Sequence, residues 1–406
     1  MSRRGGYSTG PPPSLFANPY PSSSHYPPAA LARNQSAGSG GHHHQQPSHP
    51  PSQNSTAPSQ GIQPCTPSPP SNPTSAPPFR DVSYLSIPPP PRGFDRISTI
   101  TFSPHHYTLP PLLTLTTADG TLYTLPTTNL NPPLKLIEYT TPAPKAFIEC
   151  LTFTTTHVVT CTQDGRVCFW KAGSPKTRPH VVTTTPILNC SASPTSPHLV
   201  VGDVDVLTAI SCEGKGAVVG KWEGGGGESI KCFEFAGDGK QIIAGCGGGS
   251  KSTLGFIKLL SFAVQPSGTA KITPTHTFPA HTQSIFSLAI SPNQQYIATG
   301  SGDTVVGLYE TASMSSVAAI DRHSYLVRTV AISADSKYVA SGGEDRVVDI
   351  ADVKTGASVH VIPTGGGVCE GVAWHAKEMM CCYAVDLGAG AKNMGVQPVQ
   401  VKIMKM

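Results

Sequence analysis

One stretch of this chain repeats itself at a constant interval, and nothing else in the sequence restricts the fold as much. Leu288-Ala289-Ile290-Ser291-Pro292, Val330-Ala331-Ile332-Ser333-Ala334 and Val372-Ala373-Trp374-His375-Ala376 stand 42 residues apart each time. Tyr296-Ile297-Ala298-Thr299-Gly300-Ser301-Gly302-Asp303 returns at the same interval as Tyr338-Val339-Ala340-Ser341-Gly342-Gly343-Glu344-Asp345. Weaker copies continue towards the N-terminus, each with an apolar anchor before a turn: Phe102, Phe153, Ala192 and Phe235. With Ile290, Ile332 and Trp374 they make seven anchors, separated by 51, 39, 43, 55, 42 and 42 residues. Each unit is a series of short apolar alternations broken by turn residues, the pattern of strands and not of helices.

A unit of this length with four short strands cannot bury its apolar faces alone, and stacking seven around an axis leaves no open sheet edge. The expected fold is therefore all-β, a seven-bladed β-propeller. Closure requires the first and last strands to share a sheet, and Asp81-Val82-Ser83-Tyr84-Leu85-Ser86-Ile87 is the candidate outer strand for the unit built on Trp374. The two long spacings predict turn insertions, placed at Pro104–Pro111 in the first unit and at the glycine-rich Gly245–Ser250 in the fourth.

Composition divides the chain. It holds 41 Pro and 40 Gly with 13% charged residues, roughly half the usual charge, which argues against a helical bundle or coiled coil. Residues 1–92 contain 22 of the prolines and 17 serines with Asp81 as their only acid, too little apolar surface to offset the entropy of ordering. The expected organisation is a disordered Pro/Ser/His-rich tail over 1–80 and a propeller over 81–406, with 81–87 closing the ring. The net charge of +4 lies in the first 92 residues, and the remainder balances 23 basic against 23 acidic side chains. A neutral folded part gives no support for a nucleic-acid face. No stretch is apolar enough for a membrane span or a secretory leader, so no membrane association is expected. Ten of the eleven cysteines lie in or beside apolar runs without C-x-x-C spacing, and read as reduced, buried small hydrophobes of an intracellular protein.

Few residues suggest chemistry. His281 and His323 stand nine residues before their anchors, and Asp303 and Asp345 thirteen after. A histidine entering the innermost strand can bond a carboxylate in the turn between the next two strands. A pair that recurs with the repeat is expected to fix the blade and not to catalyse, so no catalytic residue is assigned. Asp119 and Asp164 occupy comparable turns. Gly245-Cys246-Gly247-Gly248-Gly249-Ser250-Lys251-Ser252 approaches a phosphate-binding loop, but Ser250 replaces its second glycine and a strand, not a helix, follows. No cofactor, metal site or small-molecule substrate is expected. His42-His43-His44 with His49 reads as a solvated tract, and the single Arg4-Gly5-Gly6-Tyr7 unit makes direct RNA contact a weak expectation. Thr66 and Ser68, each before proline, are acceptors a kinase could use. Arg322, Arg346 and Lys354 are surface charges available to a partner.

Ala280-His281, Ser291-Pro292 and Thr299-Gly300-Ser301-Gly302-Asp303 resemble a WD repeat, with the closing Trp-Asp relaxed to Tyr309-Glu310 and, in the second unit, to Trp170-Lys171. The sixth unit, from Val327-Arg328-Thr329-Val330 to Asp349-Ile350-Ala351-Asp352-Val353-Lys354-Thr355-Gly356, followed by Val372-Ala373-Trp374-His375, is similar to the WD-repeat subunits of the THO complex. The resemblance is strong over 275–386, thinner over 94–274 and absent from the tail. The chain departs from that pattern in losing most Gly-His dipeptides and in carrying Gly224-Gly225-Gly226-Gly227 and the expected insertion at Gly245. The resemblance implies a nuclear, non-enzymatic scaffold whose partners are other THO subunits and, through them, a DEAD-box ATPase and export adaptors that couple transcription to messenger-RNA export. The alternative is a WD-repeat adaptor of another nuclear assembly, such as a histone-modifying complex or a ubiquitin-ligase substrate receptor.

Overall fold

Every anchor residue ends the first strand of a four-stranded antiparallel sheet. The computed structural model describes residue 79 and residues 82–90, 93–94, 96–131, 134, 136–140, 146–171, 179–181, 186–213, 216–224, 229–248, 253–388, 391, 397 and 399–406. Strand β1 spans Ser83–Ile87. Blade 1 holds β2 (Ile97–Phe102), β3 (Leu112–Thr117), β4 (Thr121–Pro126) and β5 (Ile137–Thr140). Blade 2 holds β6 (Ile148–Phe153), β7 (His157–Thr162), β8 (Arg166–Lys171) and β9 (Pro179–Val181). Blade 3 holds β10 (Asn189–Ala192), β11 (His198–Gly202), β12 (Val206–Ser211) and β13 (Ala217–Glu223). Blade 4 holds β14 (Ser229–Phe235), β15 (Gln241–Gly247), β16 (Gly255–Val264) and β17 (Ala270–His281). Blade 5 holds β18 (Ile285–Ile290), β19 (Tyr296–Ser301), β20 (Val306–Glu310) and β21 (Ser316–Ile320). Blade 6 holds β22 (Val327–Ile332), β23 (Tyr338–Gly343), β24 (Val347–Asp352) and β25 (Ser358–Pro363). Blade 7 holds β26 (Val368–Trp374), β27 (Met380–Asp386) and β28 (Val399–Lys405), with β1 as its fourth strand.

The first strands touch in one closed cycle, β2 to β6, β10, β14, β18, β22, β26 and back to β2. They form the inner wall, and the fold is the expected seven-bladed propeller. Apolar residues form seven clusters, one at each junction between neighbouring blades. Both faces of every blade are thus covered, which explains the nearly continuous burial of second strands such as β3, β7 and β11.

In blade 7, β1 runs antiparallel to β28 with Ser83 opposite Lys405 and Ile87 opposite Val401. Phe79, which the sequence boundary assigns to the tail, is buried in the cluster between blades 6 and 7. Its ring stacks on His360 at 5.5 Å and meets Tyr338 edge-on at 5.2 Å. The other readings made on the tail, including His42–His44, His49, Arg4–Tyr7, Thr66 and Ser68, lie outside the described residues.

Of the two expected length insertions, the one at Pro104–Pro111 lies where the sequence places it and the one in blade 4 does not. The turn after β2 is long, and Tyr107 within it packs on Phe153 of blade 2, but the β4–β5 connection lengthens the same unit. In blade 4, Gly245, Cys246 and Gly247 belong to β15 and not to an inserted turn. Gly248 follows β15, Gly249 and Ser250 lie outside the described residues, and further length is in β16 and β17, of 10 and 12 residues. Gly245 stands ten residues after its anchor, as Gly300 and Gly342 do. A Cβ there would come 2.7 Å from Ile285 of blade 5, just as one on Gly300 would come 2.8 Å from Val327. It is a repeat glycine that lets the next inner strand pack closely.

Candidate functional site

His281 ends the last strand of blade 4 and His323 follows the last strand of blade 5, and each reaches the turn between the second and third strands of the next blade, at one end of the ring. In blade 5, His281 Nδ1 lies 3.1 Å from both carboxylate oxygens of Asp303, and its Nε2 lies 2.8 Å from Thr299 Oγ1. The Thr282 and Val305 backbone N–H groups donate to the same carboxylate at 2.9 and 3.2 Å. Burial pushes the His281 imidazole down despite Asp303 beside it, and its two ring nitrogens bond the carboxylate on one side and the Thr299 hydroxyl on the other. Burial alone would raise the Asp303 carboxyl, but His281 and the two backbone donors hold it below its ordinary value.

Blade 6 builds the same arrangement with His323 Nδ1 2.5 Å from Asp345 and Nε2 2.8 Å from Ser341 Oγ. Here the carboxylate is less well served: among the described residues, its buried Oδ1 has no partner. The sequence singled out both His/Asp pairs, and the structure brings each together. It missed Thr299 and Ser341, whose signal is their shared place nine residues after the anchor.

The position closing each network on the third strand varies. In blade 2 it is Trp170, whose Nε1–H donates to Thr160 at 2.9 Å. In blade 5, Tyr309 donates to the Ala280 carbonyl at 3.0 Å. Blade 6 has Ala351 there, and Asp349, two residues earlier, is bonded by Arg322 at 2.5 Å. Arg322 also donates to the Gly356 carbonyl, so this expected surface contact is engaged within its blade. Arg346 and Lys354 are exposed. Asp119 and Asp164 cap the corresponding turns of blades 1 and 2, each accepting from a threonine two residues back.

Inner strands have no sheet neighbour on the channel side, and side chains from the preceding blade satisfy their N–H groups. Thr152, Ser191 and Glu234, each one residue before its anchor, accept from Ala192, Phe235 and Ile290 at 3.2, 3.0 and 3.0 Å. In later blades Ser287 and Thr329 do this from two positions earlier, accepting from Val330 and Val372. Burial pushes the Glu234 carboxyl up to about 7. Arg328 on the same wall pairs with Glu344 at 2.5 Å and approaches Glu370 at 3.9 Å.

At the end carrying the His/Asp pairs, two aromatic side chains face solvent beside the turns, Phe286 at the start of β18 and Tyr325 just before β22, the latter 59% exposed. At the opposite end, a cleft of about 510 Å³ between blades 2 and 3 is lined by His157, Phe169 and Cys212 among others. Burial holds the Cys212 thiol up at about 12, which leaves almost no thiolate for nucleophilic attack.

Residues 272–310 and 314–351 match the WD domain, G-beta repeat. The first match begins in the last strand of blade 4 and the second just before that of blade 5, and each ends in the third strand of the next blade, so the repeat straddles the junction, as β1 does at closure. The chain is 29% identical over 229 residues to THO complex subunit 3 of Arabidopsis thaliana, an alignment covering 56% of this chain and 68% of that protein.

Proposed function

We propose that this WD-repeat propeller is a non-enzymatic docking subunit of a THO-type nuclear assembly coupling transcription and messenger-ribonucleoprotein assembly to messenger-RNA export. The similarity to THO complex subunit 3 across more than half of the chain carries the reading. The geometry fits it: the His/Asp pairs recur with the blades and are spent on holding turns. The side chains they leave outward on blades 5 and 6, Phe286 and Tyr325, are aromatic groups of the kind that anchor protein contacts. The proposed contact is that end of the ring, with the other THO subunits as direct partners and the DEAD-box ATPase and export adaptors reached through them. Balanced charge on the folded part suits protein contact more than direct binding to RNA.

Affinity capture of the tagged full chain from nuclear extract tests this. Recovery of the large THO subunits at near-equal amounts is expected. Capture of a histone-modifying complex or a ubiquitin ligase in their place would assign the propeller to a different assembly and overturn the proposal.

A further inference from the structure

Three cysteines distant in sequence converge at the junction of blades 2 and 3. Cys150 in β6 lies opposite Cys161 in β7 across their ladder, and Cys190 comes from β10 of the next blade. Their three Sγ atoms lie within 4.8 Å of one another. The repeat explains why these positions meet. At each junction, the residue three before the anchor and its cross-strand partner in the second strand face the residue two before the next anchor. Between blades 5 and 6 those residues are Ser287, Gly300 and Val330, with Ser287 paired to Gly300 and a Cβ on Gly300 destined to stand 3.1 Å from Val330. Elsewhere that corner holds hydroxyl, glycine and aliphatic side chains, with Asn189 and Phe233 between blades 3 and 4 and a single thiol, Cys232, between blades 4 and 5. Of the seven junctions, this is the one where all three positions carry a thiol.

We propose that Cys150, Cys161 and Cys190 form a three-thiolate site for one soft d10 cation, zinc or monovalent copper, held between blades 2 and 3. Thiolate ligands select such ions over hard cations. Zinc–sulfur bonds of about 2.3 Å place ligand sulfurs roughly 3.8 Å apart in a tetrahedron, a spacing that modest side-chain rotation reaches from the present one. Among the described residues no histidine or carboxylate joins the cluster. Copper would therefore be three-coordinate, and zinc would keep a fourth position for water.

The surrounding Val159, Val167, Ile187 and Leu199 are buried and apolar, which favours soft ligation over hydration. Burial pushes the Cys150 and Cys161 thiols up. Each of the three thiols releases its proton to solvent as its sulfur–metal bond forms, and no electron is transferred. The net negative charge of a zinc tris-thiolate falls beside Cys190, which is partly exposed.

The test uses the full chain, reduced with a phosphine, stripped of metal and titrated with zinc or, in a separate arm, with monovalent copper against a competing chelator. One ion per chain is expected, with three sulfurs in the first shell by X-ray absorption, joined by a single oxygen in the zinc arm, and the tighter arm identifies the ion. Cys190→Ser should weaken that ion at least tenfold, whereas Cys212→Ser, outside the triad, should not change it. Less than one equivalent of either ion in the folded chain, a first shell dominated by nitrogen or oxygen as the tail histidines would give, or unchanged affinity in Cys190→Ser would overturn the proposal. If Cys190→Ser does not fold, the wild-type first shell decides.

Discussion

His281 and His323 each bond a carboxylate on one side and a hydroxyl on the other, so removing either ring strands buried polar atoms. His323→Ala should lower unfolding free energy by about 1–3 kcal/mol, as expected when a buried partner is left unsatisfied. Urea unfolding at neutral pH checks this, and a loss of function without destabilisation would contradict a holding role. Glu234 behaves differently because its carboxyl is raised to about 7, so the folded state binds a proton that the unfolded state has released. Its contribution is fully present below the ordinary carboxyl value near 4.5 and is lost as pH rises through about 7. Glu234→Gln keeps an acceptor for the Ile290 N–H without the charge. It should stabilise by about 1 kcal/mol at pH 8 and by much less at pH 5, a modest figure because water in the channel partly reaches the side chain. Urea midpoints at the two pH values decide this. The histidine pairs were legible because their offset from the anchors repeats. The cysteine triad was not, because its members belong to two units and meet only through the register of neighbouring blades.

At the scale of elements, the seven anchors predicted the end of every inner strand, from Phe102 in β2 to Trp374 in β26. Periodicity reports where an apolar face must turn inward, and that face is fixed by stacking. Loop accounting was less legible: Gly245 and Gly247, read as part of an inserted turn, belong to β15, and β16 and β17 are themselves extended, since strand length is invisible to a repeat counted from anchors. The segment from Phe79 to Ile87 is the strongest test of closure. Phe79 stacks on His360, Tyr84 bonds the same histidine at 3.0 Å, and β1 pairs with β28 along its length. A chain beginning at residue 78 should melt with the full chain. One beginning at residue 94 leaves β28 as an open edge and should melt several degrees lower, at about 2–4 °C for each kcal/mol lost in a domain of this kind. Calorimetry on both compares them directly, and equal melting temperatures would refute closure by β1.

At the scale of the molecule, the low charge and high proline and glycine content resolve into turns of a ring with balanced charge and a proline-rich N-terminal region that carries the net positive charge. Fold could be argued from the repeat alone, whereas the choice of partner could not, because propellers present similar turns to many assemblies. The proposed partner contact is the end of blades 5 and 6 where Phe286 and Tyr325 are exposed. The most direct measurement is photo-crosslinking in nuclear extract, with a photoreactive phenylalanine analogue at position 325 and, as control, at Val264, an exposed position at the far end of β16. The account predicts adducts between position 325 and a THO subunit, and none from position 264. No THO adduct from position 325, or equal yields from the two positions, would contradict it.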